Sequence, residues 1–215
     1  SLHDFTALSF DGVDDYVDTT QQFDFLQTDS FTVEFWAKIL DHSDRYAAAA
    51  GLVGKGHWYA NNWDVFLMNS NSPRFELHAI MDGNAITGNP MPINKWQHIA
   101  CVYNGSTKAM SLYQDGTLTA TGTYTGTGDF NNDKPVWFGC RYNDSLRALR
   151  GWLTEVRIWN VARTAQQIAD WKDRTLSGDE PGLVGYWRAQ ETWKLTPETN
   201  TLPDLSGHGN DGNIY

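Results

Sequence analysis

The segment IACVYNGSTKAMSLYQDG, residues 99–116, contains the pattern that decides the fold. Residues 99–103 are apolar at consecutive positions, which is typical of a strand covered on both faces. The Asn-Gly at 104–105 and the Asp-Gly at 115–116 favour hairpin turns, and they bracket a second apolar run at 109–113. The segment therefore predicts antiparallel strands joined by short turns.

Similar runs continue on both sides of this segment. Residues 31–37, FTVEFWA, lie between a turn and a polar loop, and two further runs flank the turn at 69–73. The run at 75–81 alternates, with Phe75, Leu77, Ala79 and Met81 on one face and Arg74, Glu76 and His78 on the other, as a strand with one wetter face does. Many short strands at such spacing predict an all-β protein with a two-sheet antiparallel β-sandwich. No linker or charge run divides the chain, so we expect a single domain over residues 1–215.

One segment departs from the strand pattern. Thr164 and Gln167 have capping-box spacing, and Ile168 and Trp171 share a face, so a short helix is expected at about 164–174, packed on the outside of the sandwich. Five tryptophans lie within strand patterns and are predicted core residues: Trp36, Trp96, Trp137, Trp159 and Trp187. The two cysteines, Cys101 and Cys140, lie in predicted strands, where a disulfide and a pair of buried thiols are both compatible with the sequence.

Composition and charge exclude several classes of protein. The chain has 16 basic and 26 acidic residues, for a net charge of −10, which excludes a binder that tracks nucleic-acid phosphates. No run approaches the roughly 18 apolar residues that span a bilayer, so no membrane insertion is expected. The first ten residues lack the charged-then-apolar layout of a signal peptide, which leaves open a leader removed from a precursor. The 10 Trp, 9 Tyr, 10 Phe and 19 Gly fit strands joined by tight turns.

Several blocks of residues resemble a known family. Residues 7–17, ALSFDGVDDYV, resemble the opening signature of laminin-G-like domains in the concanavalin A-like lectin and glucanase superfamily. Further blocks match in the same order, at residues 31–36, 96–100, 112–116 and 151–164. Segments 183–187 and 204–212 are similar to those at repeat junctions of bacterial surface proteins. The resemblance implies a jelly roll, usually a calcium-dependent binding or adhesion module of an extracellular or cell-surface protein.

Pentraxins are similar in outline but match the chain less well. The positions of the pentraxin disulfide fall on Glu34 and Ala100, so that bridge is absent here. The acidic ligand positions that follow Gly139 in pentraxins fall near Arg141 and Tyr142. The resemblance therefore implies a calcium site that this sequence matches only in part.

Three loop clusters offer the oxygen ligands that calcium prefers. The first is Asp11, Asp14 and Asp15. The second joins residues 61–64 to residues 143–144, which similar domains bring together at one rim, and the third is Asp204 with Asn210 and Asp211. Each cluster also fits the alternative that its side chains only stabilise turns. We expect calcium as a cofactor, with seven candidate ligands from the first two clusters: Asp11, Asp14, Asp15, Asn62, Asp64, Asn143 and Asp144.

The stretch HWYANNWD, residues 57–64, predicts a sugar-binding rim. It combines three aromatic rings with amides and a carboxylate, shows no helix or strand period, and reads as a loop, where binding residues collect. Arg147 lies in a second loop expected at the same rim. The alternative is that Trp58 and Trp63 only cap the edge of the sandwich. The candidate ligand-binding residues are Trp58, Tyr59, Asn62, Trp63, Asp64, Tyr142, Asn143 and Arg147.

Signatures of catalysis are missing from the sequence. It contains no Gly-x-Ser-x-Gly elbow and no glycine-rich phosphate loop, and its strands carry single acids rather than the opposed pair of a glycosidase. We therefore predict a non-catalytic, lectin-like module that binds a glycan or glycoprotein with the help of calcium, which either bridges the sugar or only fixes a loop. The alternative is a protein–protein adhesion or spacer domain without sugar affinity. Fold alone does not decide between them.

Overall fold

The computed structural model describes residues 7–43, 49–56, 61–78, 84–141, 147–189 and 200–215. These residues form strands and one short helix in the following order: β1 (Leu8–Asp11), β2 (Val17–Asp18), β3 (Phe31–Ile39), β4 (Ala49–Gly54), β5 (Asn62–Met68), β6 (Pro73–His78), β7 (Asn84–Thr87), β8 (Trp96–Asn104), β9 (Ala109–Gln114), β10 (Thr117–Thr123), β11 (Trp137–Phe138), β12 (Arg150–Trp159), α1 (Ala165–Trp171), β13 (Leu183–Trp187), β14 (Thr201–Leu202) and β15 (Gly212–Ile214).

The strands build two antiparallel sheets that pack face to face. The seven-stranded sheet has the order β1-β12-β3-β8-β9-β10, and β13 also pairs with β12. The eight-stranded sheet has the order β14-β15-β2-β11-β4-β5-β6-β7. The predicted all-β sandwich with one short helix is therefore confirmed. None of the described helical residues forms a helix long and apolar enough to cross a membrane.

The core lies between the sheets and is rich in aromatic rings. Phe31, at the start of β3, is fully buried and contacts the rings of Phe25, Trp63, Phe75, Tyr103 and Phe130 at centroid distances of 4.4–6.2 Å. Offset and edge-to-face ring pairs of this kind stabilise a core beyond the area they bury. The aromatic residues that are abundant in the sequence thus serve mainly to pack the core between the sheets.

The decisive segment forms the strands that its pattern predicts. β8 pairs with β9 and β9 with β10, through the turns that follow Asn104 and Gln114. One face of β8 lies in the core, while Ala100 and Val102 on the other face pack against Ile168 of α1. The helix begins at the predicted N-cap: the Thr164 side chain accepts from the Gln167 N–H, and the Gln167 side chain accepts from the Thr164 N–H. The strand is covered on both faces because the helix closes the outer one.

A buried set of charged side chains, the Glu34 network, fixes α1 to the seven-stranded sheet. It consists of Glu34, His98, Glu155, Arg157 and Arg163. The Arg157 guanidinium lies 2.8 Å from Glu155 and 3.6 Å from Glu34, and it also donates to the Trp171 carbonyl at 3.1 Å. Burial alone would raise the pKa of Glu34, but His98 and the two arginines outweigh it and hold the pKa at about 2. Glu34 lies directly opposite Ala100 in the register of β3 and β8.

Four of the five tryptophans predicted to lie in the core are buried. Trp36, Trp137, Trp159 and Trp187 are buried as predicted, but Trp96 is only half-buried at the start of β8, so its core prediction is wrong. The end of a strand is covered by fewer neighbouring residues than its centre, and here the Lys38 ammonium lies 5.6 Å from the centroid of the Trp96 ring.

Cys101 lies in β8 and Cys140 follows β11 in the other sheet. Both are buried thiols that form no disulfide, which is the second of the two alternatives.

Strand β12 defines the two ends of the sandwich. At its start, Arg150 pairs with Asp11 of β1; at its finish, Trp159 pairs with Leu183 of β13. We call these the Arg150 end and the Trp159 end. A strand of 10 residues at about 3.3 Å per residue separates them by roughly 30 Å.

Candidate functional site

The Trp159 end contains an open pocket of about 470 Å³, which we call the Asp24 pocket. Its walls come from the segment that leads into β3 and from the residue that follows β12. They carry two carboxylates, two hydroxyls, one amide and one aromatic ring, from Asp24, Phe25, Thr28, Asp29, Ser30 and Asn160. The volume lies within the about 300–1,000 Å³ of small-molecule sites.

The floor of the pocket is anchored in the core. The Phe25 ring stacks on Phe31 with a centroid distance of 4.4 Å and an interplanar angle of 4°. The Phe25 carbonyl accepts from the Phe130 N–H at 2.8 Å. The Trp63 indole donates to the Phe23 carbonyl at 2.9 Å. The chain that carries the pocket is therefore held by packing and by hydrogen bonds on both sides.

A buried lysine orients Asp24. The Lys55 ammonium is fully buried and donates to the Asp24 carboxylate, which also accepts from the Asn132 N–H at 3.3 Å. Burial lowers the pKa of Lys55, and the neighbouring carboxylate opposes that effect. An isolated buried ammonium is costly, so Lys55 and Asp24 hold each other in place.

Asp29 and Ser30 are fixed by backbone groups. The Asp29 carboxylate accepts from the Leu26 N–H at 2.8 Å, and the Ser30 hydroxyl oxygen accepts from the Gly105 N–H at 3.0 Å. Gly105 is needed at this point because a Cβ there would lie 2.3 Å from the Thr28 carbonyl oxygen. The Asn160 N–H donates to the Gly182 carbonyl at 2.8 Å. The side chains of Asp29 and Ser30 and the backbone at Asn160 are thus set by the fold before a ligand arrives.

The predicted rim residues 62–64 lie in a strand rather than a loop. Residues Asn62–Met68 form β5, in which Trp63, Val65 and Leu67 point into the core and are 0–1% exposed. This corrects the expectation of an exposed Trp63: its ring is enclosed by Phe25 and Phe31 and offers no face to a sugar. Asn62 and Asp64, on the outer face, are buried as well.

Asp64 forms an ion pair with an arginine on the segment after β11. The Arg141 guanidinium donates to Asp64 and, at 2.9 Å, to Glu76, and it lies 3.8 Å from the Phe66 ring centroid. Burial raises the pKa of Asp64 to about 6 although this guanidinium acts to lower it. The segments that carry Asp64 and Arg141 are therefore in contact, but the Arg141 guanidinium already supplies the positive charge that a calcium ion would bring. Asp64, whose carboxylate is held by this guanidinium, therefore does not fit a calcium ion.

Several predicted residues lie outside the described part of the chain: Trp58, Tyr59, Tyr142, Asn143 and Asp144. The base of segment 57–60 is described, and it adjoins the Asp24 pocket. The Asn132 amide donates there to the Asn61 and Lys55 carbonyls, and the Asn132 N–H contacts Asp24. Arg147 is half-buried on the segment that leads into β12, at the Arg150 end.

The first predicted calcium cluster, Asp11, Asp14 and Asp15, lies at the Arg150 end. One carboxylate oxygen from each residue lies within 4.8 Å of the others, and Asp11 and Asp14 are exposed. The Asp15 carboxylate accepts from the Asp11 N–H at 2.8 Å. Burial raises the pKa of Asp15, and the charges of Asp11 and Asp14 raise it further. Three hard oxygen donors that repel one another fit a divalent cation.

The third predicted cluster is occupied by turn contacts. The Asp204 carboxylate accepts from the Tyr186, Ser206 and Asn210 N–H groups at 2.9–3.0 Å. The Asp211 carboxylate accepts from the Asp204 N–H at 2.8 Å. These contacts match the turn-forming alternative, so the cluster is a structural feature of the loop between β14 and β15.

Sequence reasoning missed the residues that line the Asp24 pocket. Asp24, Asp29 and Asn160 look like ordinary turn formers when each is taken alone. The signal that would find them is topological: Asp29 lies two residues before β3, and Asn160 immediately follows β12, the antiparallel neighbour of β3 in the same sheet.

The architecture defines a class of protein: a two-layer antiparallel jelly-roll sandwich with a polar pocket at one end. A family model of the laminin G type, described as the concanavalin A-like lectin/glucanases superfamily, matches residues 11–169. The chain therefore belongs to the laminin G-like family of this superfamily.

Solved structures support the same fold. A candidate carbohydrate binding protein from Bacteroides ovatus is similar over 97% of this chain and 57% of its own length, with a TM-score of 0.74 and 20% identity. The heptameric SAP-like pentraxin of Limulus polyphemus has a TM-score of 0.59 and 14% identity, over 76% of this chain and 80% of its own. Domains LG4-5 of the mouse laminin α1 chain have a TM-score of 0.55 and 12% identity, over 71% and 40%. At these identities the likeness concerns the fold alone. No curated protein sequence matches the chain.

Proposed function

We propose that this chain is a non-catalytic carbohydrate-binding module of a secreted or cell-surface protein, with a structural calcium ion at the Asp11, Asp14 and Asp15 cluster. The observation that carries the proposal is the Asp24 pocket, which is preorganised and lined by hydrogen-bonding groups. A sugar presents many hydroxyls, and such a pocket offers each of them an acceptor or a donor. Membership of a superfamily that contains lectins supports it.

Asn132 joins Lys55 and Asn61, the described residues on either side of segment 57–60, to Asp24. We therefore include Trp58 and Tyr59, which lie outside the described residues, in the proposed sugar site. Aromatic rings beside polar groups suit the apolar C–H faces and hydroxyls of a sugar ring. Arg147 lies at the Arg150 end, opposite the pocket, so the proposed sugar site does not include it. Tyr142 and Asn143 lie outside the described residues and have no part in the proposed site.

The role proposed for calcium is to order the loop at the Arg150 end. The Asp11 cluster and the Asp24 pocket lie at opposite ends of β12, roughly 30 Å apart. A cation at the cluster would not touch a sugar in the pocket. Calcium would relieve the repulsion among the three carboxylates and so stabilise the turn that leads from β1 to β2.

A glycan array tests sugar binding, with the folded chain applied in calcium and in chelator. We expect retention on at least one glycan class in both conditions. If the folded chain is retained on none of the glycans, the proposal fails and the adhesion or spacer alternative takes its place. Loss of binding in chelator would contradict the separate, structural role of calcium.

Thermal unfolding with increasing calcium tests the metal site. At a calcium concentration ten times Kd we expect about 1.4 kcal/mol of stabilisation. The Asp14→Asn variant should lose this gain because it removes one of the three carboxylates. The matched control Asp133→Asn, at a carboxylate that is 80% exposed and outside the cluster, should keep it. An unchanged melting temperature in the native chain would refute the site.

A further inference from the structure

We infer that the Asp24 pocket selects a neutral, hydroxyl-rich sugar and rejects uronic, sulfated and other acidic sugars. This inference rests on the proposed function and adds to it the chemical class of the ligand and the residues that choose it. It follows from the charges, the donors and acceptors, and the rigidity of the pocket walls.

The charge of the pocket is negative. Asp24 and Asp29 are its two ionisable wall residues. Two described cations lie beside the pocket, and both are engaged: the Lys55 ammonium bonds the Asp24 carboxylate, and the Lys108 ammonium donates to the Gln27 amide oxygen at 2.7 Å. Arginine and lysine are the usual partners of carboxylate and sulfate groups, and neither is among the six wall residues. An acidic sugar would therefore enter against the charge of Asp29 and against the chain's net charge of −10.

The same walls suit a neutral sugar. A carboxylate accepts hydrogen bonds from hydroxyls, and such charge-assisted bonds are roughly twice as strong as neutral ones. Each of the other polar groups, the Thr28 and Ser30 hydroxyls and the Asn160 amide, can donate and accept hydrogen bonds, and the hydroxyls of a sugar can do the same. The two carboxylates and these groups together offer acceptors and donors to the hydroxyls of a sugar.

Rigidity makes this selection effective. Asp29 is fixed by the Leu26 N–H, Asp24 by Lys55 and Asn132, and Phe25 by its stack on Phe31. A site ordered before binding loses little side-chain entropy when the ligand arrives. The Lys55 and Lys108 ammonium groups are held by their own partners, so the repulsion of an acidic group by Asp29 stays in the complex.

Paired sugars that differ by one charge provide the test. We would titrate the full chain with glucose and glucuronic acid, and with galactose and galacturonic acid, and observe binding by saturation-transfer NMR and calorimetry. At least one neutral sugar should bind ten times more tightly than its acid partner. Putrescine serves as an amine probe, and tighter binding of putrescine than of any sugar would overturn the inference. Equal or tighter binding of a uronic acid would overturn it as well.

Substitution of Asp29 locates the site. Asp29→Asn keeps the shape and an oxygen for the Leu26 N–H but removes the charge, so it should weaken the neutral sugar at least tenfold. Asp29→Lys should move the preference toward the uronic acid at least tenfold. The exposed Asp173→Asn is the control and should bind as the native chain does. Asp24 is avoided because its loss leaves the buried Lys55 ammonium without its carboxylate.

The outcomes separate this inference from the proposed function. Sugar binding that is unchanged in both Asp29 variants, with melting temperatures near the native value, would place the sugar elsewhere; the inference fails and the proposed function stands. No binding of any sugar by the folded chain, here and on a glycan array, would overturn both. Reduced neutral-sugar binding together with a shifted acid preference supports both.

Discussion

Two groups of carboxylates in this molecule differ in what balances their charge. In the Glu34 network, two buried carboxylates meet two arginines and a histidine, and the pKa of Glu34 falls to about 2. In the Asp11 cluster, three carboxylates face one another near the surface, and the pKa of Asp15 rises. Ionisation is stabilised in the first group and opposed in the second.

The difference separates a structural use of charge from a candidate site. The Glu34 network already contains its cations, so it holds α1 against the sheet and leaves no positive charge to be supplied from outside. In the Asp11 cluster Arg150 lies opposite Asp11 in the register, yet the charges of Asp11 and Asp14 still raise the pKa of Asp15, so the repulsion among these carboxylates is not fully offset. The raised pKa of Asp15 in a mostly exposed turn thus marks carboxylates whose charge is not balanced, whereas the lowered pKa of Glu34 marks a buried network whose charge is balanced by its own cations.

The largest expected effect comes from removing the central cation of the Glu34 network. Arg157→Ala leaves Glu34 and Glu155 buried with fewer partners and releases the Trp171 carbonyl at the end of α1. We expect a loss of about 3–5 kcal/mol in the free energy of unfolding, measured by urea denaturation. The exposed control Lys95→Ala should change it by less than about 0.5 kcal/mol. Equal, small losses in both variants would contradict a structural role for the network.

Acid provides the second test of the same network. The folded pKa of Glu34, about 2, lies below its ordinary 4.5, so its stabilising effect is complete above pH 4.5 and is lost as the pH falls toward 2. Linkage gives this effect a size of about 3 kcal/mol. The native chain should lose more stability over this range than Glu34→Gln does, as measured by urea denaturation at a series of pH values. Parallel curves for the two proteins would show that Glu34 is not held ionised by its neighbours.

The smallest expected effect lies in the Asp11 cluster, and its sign depends on calcium. Because the folded pKa of Asp15 is raised, its ionised form is destabilising once the pH rises above that pKa. Asp15→Asn should therefore stabilise the metal-free chain at pH 7 by about 0.2–0.5 kcal/mol, since water screens this partly exposed group. With calcium present the variant should be less stable than the native chain. The same sign in both conditions would contradict a cation at this cluster.

Most of the fold was predictable because its signals are local. The turns after Asn104 and Gln114 and the capping box at Thr164 depend on neighbouring residues, and the structure contains all three. The alternation of Trp63 with Val65 and Leu67 was also a local signal for β5. The run at 65–68 was predicted, but the start of the strand at 62–64 was taken as a loop because Asn62 and Asp64 are polar. These polar residues are buried in a strand because Arg141, 77 positions beyond Asp64, pairs with it.

Local patterns in the sequence could not predict the Asp24 pocket. It forms where the segment before β3 meets the residue after β12, and its charge depends on Lys55 from the other sheet. Such a site forms only when both sheets have packed together, so the sequence around any one of its turn residues does not predict it. The Asp11 cluster was found because its three carboxylates lie within five consecutive residues.

The separation of the two cysteines gives the molecule a built-in reporter of unfolding. Cys101 lies in the seven-stranded sheet and Cys140 beside the eight-stranded one, both shielded, and they are the only cysteines of the chain. Burial also raises the pKa of the Cys101 thiol, which suppresses the reactive thiolate. Alkylation by iodoacetamide during unfolding, followed by peptide mass spectrometry, would therefore measure how fast each thiol becomes exposed. Cys101 reports on the seven-stranded sheet and Cys140 on the eight-stranded sheet, and no added label is needed.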